Sequence, residues 1–336
     1  MTLSFQNVTS NIVSVDSARI LIVDDSPDNI VTLENILEDY NYQIYKAYNG
    51  QEALNMVREV EPDLILLDVM MPGMNGYEVA EVIKSNPHTR LIPIIMLTAL
   101  DGQEQRLKGY EVGVDDFISK PFNIIELRLR VSNLLKLRTY VNELEHAEQI
   151  IFSLARTVEA KDKYTEGHCE RLSRMSVSLG KKINLTANEL VMLRRGGLLH
   201  DIGKIAIADN ILQKKGPLTD EEYEIIKTHT TIGERICAPL KSLKPILPII
   251  LYHHEKIDGS GYPEGLCGDQ IPLNARIMGL VDCYDALTTS RSYRPAMTRE
   301  KALRIIEAET GRNKWDPELF VTFVDLVHTD PLFHQS

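Results

Sequence analysis

Five of the nine histidines in this chain fall between residues 168 and 254: His168, His200, His229, His253 and His254. His200 stands beside Asp201 in an apolar stretch, Leu-Leu-His-Asp-Ile-Gly-Lys-Ile-Ala-Ile at 198–207. An imidazole next to a carboxylate is costly to bury unless a cation or a hydrogen-bonding partner offsets it. A satisfied structural pair is the plainer explanation of the dipeptide taken alone. Adding Asp201 and Asp282 to the histidines gives seven nitrogen and oxygen donors, more than the four usual around one zinc. If Asp201 bridges, the set suits two five- or six-coordinate ions, iron or manganese, with nickel, cobalt or zinc as alternatives. Two ions roughly 3.5 to 4 Å apart stabilise both the attacking and the leaving oxygen of an in-line displacement at phosphorus. Phosphoester hydrolysis is the chemistry expected there.

A second constellation lies near the N-terminus. The apolar run Arg19–Val23 ends in Asp24-Asp25, the run 63–67 ends at Asp68, the run 94–97 ends at Thr98, and the run 117–119 ends at Lys120-Pro121. Three carboxylates in one crevice repel each other unless a hard cation such as Mg2+ sits among them. One of them can then attack a phosphoryl group, with Lys120 and the cation neutralising the charge that develops.

These residues need a scaffold that gathers strand ends. Pro27 opens a helical pattern with Ile30, Leu33, Ile36 and Leu37 at spacings of three and four. Strands alternating with such helices predict a parallel sheet covered on both faces, with its polar site at the carboxyl ends of the strands. The acidic pair, the acceptor, the hydroxyl and the Lys-Pro, in that order, resemble a response-regulator receiver domain, placed at 18–125 after a flexible segment 1–17. The resemblance implies a doubly wound, five-stranded, flavodoxin-like α/β domain with Asp68 as phosphoacceptor. It also implies Asp24, Asp25, Asp68 and the Met70 carbonyl around Mg2+, with Thr98 and Phe117 as switch residues beside Lys120. A cognate histidine kinase is the implied partner.

No Pro or Gly interrupts 123–166, and the composition favours a continuous connector helix at 126–158. Leu134, Leu137, Val141, Leu144, Glu148, Ile151, Ala155 and Val158 alternate by three and four, and all but Glu148 are apolar. Two readings stay open: a parallel coiled coil joining two protomers, or a stripe that packs on its own domain.

From Thr186 onward the pattern is helical, punctuated by Pro and Gly, which predicts an all-α domain at 159–336. His200-Asp201-x-x-Lys204, followed by His253-His254-Glu-x-x-Asp258-Gly-x-Gly261-Tyr262-Pro263, resembles the HD-GYP family of metal-dependent cyclic di-GMP phosphodiesterases. That resemblance implies His168, His200, Asp201 and Asp282 around one ion, and Asp201, His229, His253 and His254 around the other. Asp201 and Lys204 would be catalytic, and Lys204, Arg291 and Arg294 would hold substrate phosphates, the cations an acidic protein needs to bind a dinucleotide. Tyr262 is expected to contact a base or a partner. Members with three metals carry a Glu four residues before the first liganding His, where this chain has Tyr164; Glu166, two residues before His168, would point away on a helix. Two ions are therefore expected, and the product, pGpG or GMP, is left open.

The formal charge of −11 disfavours nonspecific binding to DNA or to an anionic membrane surface. Cys169, Cys237, Cys267 and Cys283 show no Cys-x-x-Cys spacing, and the longest apolar runs are too short to span a bilayer. The start of the chain lacks the features of a signal peptide, so a cytoplasmic protein is expected. The leading expectation is a receiver-controlled cyclic di-GMP phosphodiesterase. Its alternatives are a hydrolase of pGpG or another cyclic dinucleotide, and a weakly active adaptor that senses cyclic di-GMP or docks a diguanylate cyclase domain.

Overall fold

The predicted α/β alternation builds β1 (Arg19–Val23), α1 (Pro27–Leu37), β2 (Gln43–Ala47), α2 (Gly50–Val60), β3 (Leu64–Asp68), α3 (Gly76–Ser85), β4 (Ile94–Thr98), α4 (Gln103–Val112), β5 (Asp116–Ser119) and α5 (Ile124–Lys161) in the computed structural model. The structure describes residues 17–99, 103–161, 167–214, 216–290 and 295–334. The expected N-terminal segment 1–17 lies outside the described residues except for Ser17. The chain divides into two units, Met1–His146 and Ala147–Ser336.

All strand pairs are parallel, in the order β2-β1-β3-β4-β5. This is the flavodoxin-like doubly wound order, whose ligand crevice opens where the winding reverses, between β1 and β3. Asp24 follows β1 and Asp68 ends β3, so the topology itself brings the two acids together. The strands β3 and β4 are buried along their whole length, as continuous apolar runs require in a sheet covered on both faces. By contrast β2 is an edge strand reading Gln-Ile-Tyr-Lys-Ala, only its last residue buried. Its mixed polarity kept it from standing out among the apolar runs.

The connector is one uninterrupted helix of 38 residues. At its start Leu127, Val131 and Leu135 are buried in the core of the first unit, with Leu134 packed against them. Near its end Ala155 is buried in the core of the second unit, with Ile151 and Phe152 against it. Glu148, the one polar member of the stripe, pairs with Arg195 Nη2 at 2.7 Å. Leu137 and Leu144, between these ends, are 58% and 44% exposed. Both ends of the stripe thus serve the chain's own cores.

The second unit is helical: α6 (His168–Lys182), α7 (Ala187–Leu199), α8 (Asp209–Leu212), α9 (Asp220–Lys227), α10 (His229–Cys237), α11 (Leu247–Tyr252), α12 (Leu273–Thr288), α13 (Arg299–Thr310) and α14 (Pro317–Thr329), joined by short 3-10 turns. Thr186 and Glu189 form a capping box that starts α7, which fixes where His200 emerges at its other end. Leu172, Leu179, Leu193, Ile249, Ile277 and Phe323 are among the residues that fill the core. Among the described residues, no helix is long and apolar enough to cross a membrane.

Candidate metal centre and phosphoacceptor site

The histidines of the second unit are placed by helix ends. His200 follows the last turn of α7, His229 that of α9 and His253 that of α11. The last carbonyls of a helix have no partner within it. Each of these rings donates Nδ1–H to such a carbonyl three residues back: His200 to Gly197 at 2.9 Å, His229 to Ile226 at 2.7 Å and His253 to Ile250 at 2.9 Å. That tautomer leaves every Nε2 with a lone pair pointing inward.

The inward atoms converge. Donor atoms of Asp201, His229, His253 and His254 lie within 4.8 Å of one another, as do those of His168, His200 and Asp282. Asp201 joins the two groups, because its Oδ2 is 3.2 Å from His200 Nε2 and its Oδ1 is 3.3 Å from His229 Nε2. His168 Nε2 lies 3.4 Å from Asp282 Oδ1. The short 3-10 turn after Asp201 can approach α10 because residue 203 is glycine; a Cβ there would fall 1.9 Å from the His229 carbonyl oxygen.

This donor set fits cations. His200 Nε2 is buried with no hydrogen-bond partner, and the Nε2 atoms of His229 and His253 face each other at 3.4 Å. Two buried lone pairs at that distance repel unless a positive charge lies between them or nearby. Burial, reinforced by the neighbouring imidazoles, holds His253 and His254 well below the ordinary histidine range, so they stay neutral and able to coordinate. Burial also lowers His229. Burial would lower His200 too, but the Asp201 carboxylate outweighs it and raises that group, so protons and metal compete there. Asp201 itself lies well below the carboxylate range, because Lys204 and His200 outweigh the cost of burial.

Lys204 Nζ reaches Asp201 Oδ2 at 2.7 Å. The Tyr262 ring lies over His254 with centroids 4.8 Å apart. Its loop is shaped by Glu255, a 5% exposed carboxylate that accepts N–H bonds from Glu264 at 2.8 Å, Gly265 at 3.0 Å and Leu266 at 3.1 Å. The loop folds back so tightly that a Cβ on Gly261 would sit 2.3 Å from Glu255 Cα. A narrow cavity beside Asp201 is lined by Ala155, Val158 and Glu159 of α5 together with His168, Leu198 and Lys204. Glu159 Oε1 accepts the backbone N–H of Cys169, next to His168, at 2.9 Å. Burial pushes the Cys169 thiol far up its range, so it stays protonated and offers no thiolate to the cluster. Arg291, Arg294, Tyr164 and Glu166 lie outside the described residues.

In the first unit, donor atoms of Asp24, Asp25 and Asp68 also lie within 4.8 Å of one another. Lys120 Nζ bridges Asp24 Oδ2 at 2.7 Å and Asp68 Oδ1 at 2.6 Å. Burial raises the Asp68 pKa, with Lys120 opposing and Asp24 adding to the rise. Asp68 Oδ2 accepts the Met70 N–H at 3.1 Å, which turns the Met70 backbone beside the acids. Thr98 is buried at the end of β4, and its carbonyl accepts the Lys120 N–H at 2.7 Å. Phe117 is buried edge-on to Tyr110.

Residues 20–132 match the response regulator receiver domain and residues 144–319 the HD domain. The chain is 37% identical over 345 residues to a probable cyclic di-GMP phosphodiesterase of Vibrio cholerae, covering 92% of this chain and 78% of that protein. It is 37% identical over 317 residues to the cyclic di-GMP phosphodiesterase response regulator RpfG of Xanthomonas campestris, covering 88% of this chain and 84% of that protein. The chain belongs to the HD-domain response regulators. Over 175 residues it is also 38% identical to the 3'3'-cGAMP-specific phosphodiesterase 3 of Vibrio cholerae, covering 52% of this chain and 38% of that protein. HD domains are metal-dependent hydrolases, and the two donor groups give this one places to hold ions.

Two further residues of this HD-domain regulator escaped the reading of its sequence. Glu255 stands inside the His-His-Glu motif but drew no role of its own. Asp285 lies 2.6 Å from His168 Nδ1, and its signal was Asp282-x-x-Asp285, a spacing that sets both carboxylates on one face of a helix.

Proposed function

We propose that this chain is a phosphorylation-controlled phosphodiesterase acting on cyclic di-GMP. The observation that carries the reading is Asp201, whose two oxygens face two different clusters of metal donors with Lys204 alongside. In this reading His168, His200, Asp201 and Asp282 hold one ion, and Asp201, His229, His253 and His254 the other. Ions bound there would supply Lewis acidity to the phosphoryl oxygens and acidity to the attacking water. Lys204, with Arg291 and Arg294, holds the phosphate oxygens, and Tyr262 offers its ring to a base. The water oxygen forms the new bond to phosphorus, the P–O3′ bond breaks, and the 3′ oxygen leaves with a proton. One such event yields linear pGpG and a second yields GMP; Tyr164, standing where three-metal relatives carry Glu, favours two ions and pGpG.

The input half of the proposal is electrostatic. Asp24, Asp25, Asp68 and the Met70 carbonyl hold Mg2+, and Asp68 takes a phosphoryl group from a histidine kinase. Phosphorylation adds nearly two negative charges. Thr98 follows them by hydrogen bonding, Phe117 moves with it, and Lys120 re-pairs. The connector carries the change, with its exposed Leu137 and Leu144 available to a second copy of the chain.

The test incubates purified, metal-loaded protein with cyclic di-GMP, pGpG and 3'3'-cGAMP, with and without acetyl phosphate, and separates the products by chromatography. Cyclic di-GMP turnover that disappears in Asp201→Ala is the expected result. Turnover unchanged in that variant removes the assigned site. Binding without hydrolysis across several metals makes the protein a sensing adaptor. The similarity to a 3'3'-cGAMP-specific phosphodiesterase favours a second substrate reading, which a preference for that dinucleotide in the same assay would establish.

A further inference from the structure

His168 is held differently from the other inward-facing histidines. His200, His229 and His253 donate Nδ1–H to carbonyls at helix ends. His168 is the first residue of its helix, after Gly167 in the left-handed region. Its Nδ1 instead meets a carboxylate, Asp285 Oδ2, at 2.6 Å. Asp285 is 3% exposed and is fixed from its far side: Arg171 donates Nε–H to Oδ1 at 2.9 Å and Nη2–H to Oδ2 at 3.2 Å, and Thr289 Oγ1 lies 3.4 Å from Oδ2. Asp285 does not face the centre; the ring of His168 stands between it and Asp282.

We propose that Asp285, locked by Arg171, is a positioning residue that sets the affinity of the ion held by His168, His200 and Asp282, while leaving the ion at His229, His253 and His254 unaffected. A carboxylate behind an imidazole fixes the Nδ1–H tautomer, aims Nε2 at the metal and makes that nitrogen a stronger donor than a carbonyl behind it does. Arg171 supplies what keeps the carboxylate in place: a fork of two N–H groups on a buried anion whose other partners are His168 and, at 3.4 Å, Thr289. The two ions therefore sit in unequal sites although their ligand types are similar. The inference rests on reading the cluster as a two-ion centre.

The test measures Mn2+ binding to the metal-free full-length protein by titration calorimetry and counts bound ions by elemental analysis. With Mg2+ in excess to occupy the receiver acids Asp24, Asp25 and Asp68, wild type should take up two Mn2+ ions. In Asp285→Asn one ion should bind as before and the other about 10- to 100-fold more weakly. Arg171→Gln, which leaves the carboxylate but removes its fork, should shift the same ion in the same direction by less, and it carries the test if Asp285→Asn fails to fold. Ring nitrogen NMR on the metal-free protein adds a readout that mere packing would not move: His168 should lose its fixed Nδ1–H tautomer in Asp285→Asn, while His200, His229 and His253 keep theirs. Equal weakening of both ions, or unchanged binding of both, overturns the proposal. Wild-type protein that binds fewer than two ions overturns the two-ion reading instead.

Discussion

Lys204 Nζ lies 2.7 Å from Asp201 Oδ2, the same oxygen that faces His200 Nε2 at 3.2 Å. An ammonium and a metal ion would compete for that oxygen, so in the proposed mechanism bound ions would turn Lys204 toward the substrate phosphate. Replacing it with methionine should leave metal affinity equal or higher. Turnover should still fall by roughly 10²- to 10³-fold, the cost of losing one group that stabilises charge at the reacting oxygens. Calorimetry and steady-state kinetics on the same sample check this; weaker metal binding would mean that Lys204 serves only to hold Asp201.

Asp201 is shared by both donor groups, so its loss should act on both. Asp201→Asn keeps the shape but weakens the bridge. Bound transition metal should drop below one ion per chain, and turnover should fall by more than the ~100-fold that loss of an outer partner costs. Elemental analysis after gel filtration gives the answer, and two retained ions would contradict it.

Glu255 satisfies three backbone N–H groups of the loop that carries Tyr262. Glutamine offers only one oxygen there, so at least one of these part-buried donors loses its partner, at a cost of about 1 kcal/mol. Glu255→Gln should lower the melting temperature and raise KM while bound metal stays at the wild-type level. A variant that loses metal as well would mean that Glu255 supports His253 and His254 rather than the loop.

The three acids of the receiver crowd one another, with Lys120 bound to Asp24 and Asp68, and Mg2+ should relieve them. At about a hundred times its dissociation constant the ion should stabilise the domain by ~2.7 kcal/mol. Asp68→Asn should lose part of that gain and should gain no phosphoryl mass from acetyl phosphate. Thermal melts with and without Mg2+, together with intact mass, decide the matter; a mass gain in the variant would move the acceptor elsewhere.

Asp285 provides a pH dependence with a definite sign. Burial pushes its pKa up, but hydrogen bonds from His168 and Arg171 outweigh that and bring it down to about 2, from 3.8 in an unfolded chain. A depressed carboxylate stabilises the fold above its unfolded pKa, and the contribution disappears as pH falls through the folded value. The shift corresponds to about 2 kcal/mol, present at neutral pH and lost between roughly pH 4 and pH 2. Denaturant melts of the metal-free protein should show wild type and Asp285→Asn converging over that window; a constant gap would rule this out.

The seven donors were legible because residue type, motif order and spacing carry them. The order β2-β1-β3-β4-β5 was legible in outline, although the edge strand Gln43–Ala47 was not, since a strand with one neighbour can stay half polar. Asp285 was passed over because the Asp282-x-x-Asp285 spacing does not tell which carboxylate meets which nitrogen of His168. The connector stripe was ambiguous for a physical reason: a helix that packs on its own domain and one that packs on a second copy need the same apolar spacing. Glu148 held the clue, as a polar residue in that stripe whose partner, Arg195, is 47 positions away.

The cavity beside Asp201 draws part of its wall from Ala155, Val158 and Glu159, the last turns of the connector. The second unit therefore includes the end of α5 as part of its own cavity wall. A fragment beginning at residue 159 would leave Ala155 and Val158 behind and remove two of the side chains that wall that cavity. Substitutions at those two positions would score as active-site lesions in a mutational scan, although neither side chain bears a group that could touch the substrate's chemistry.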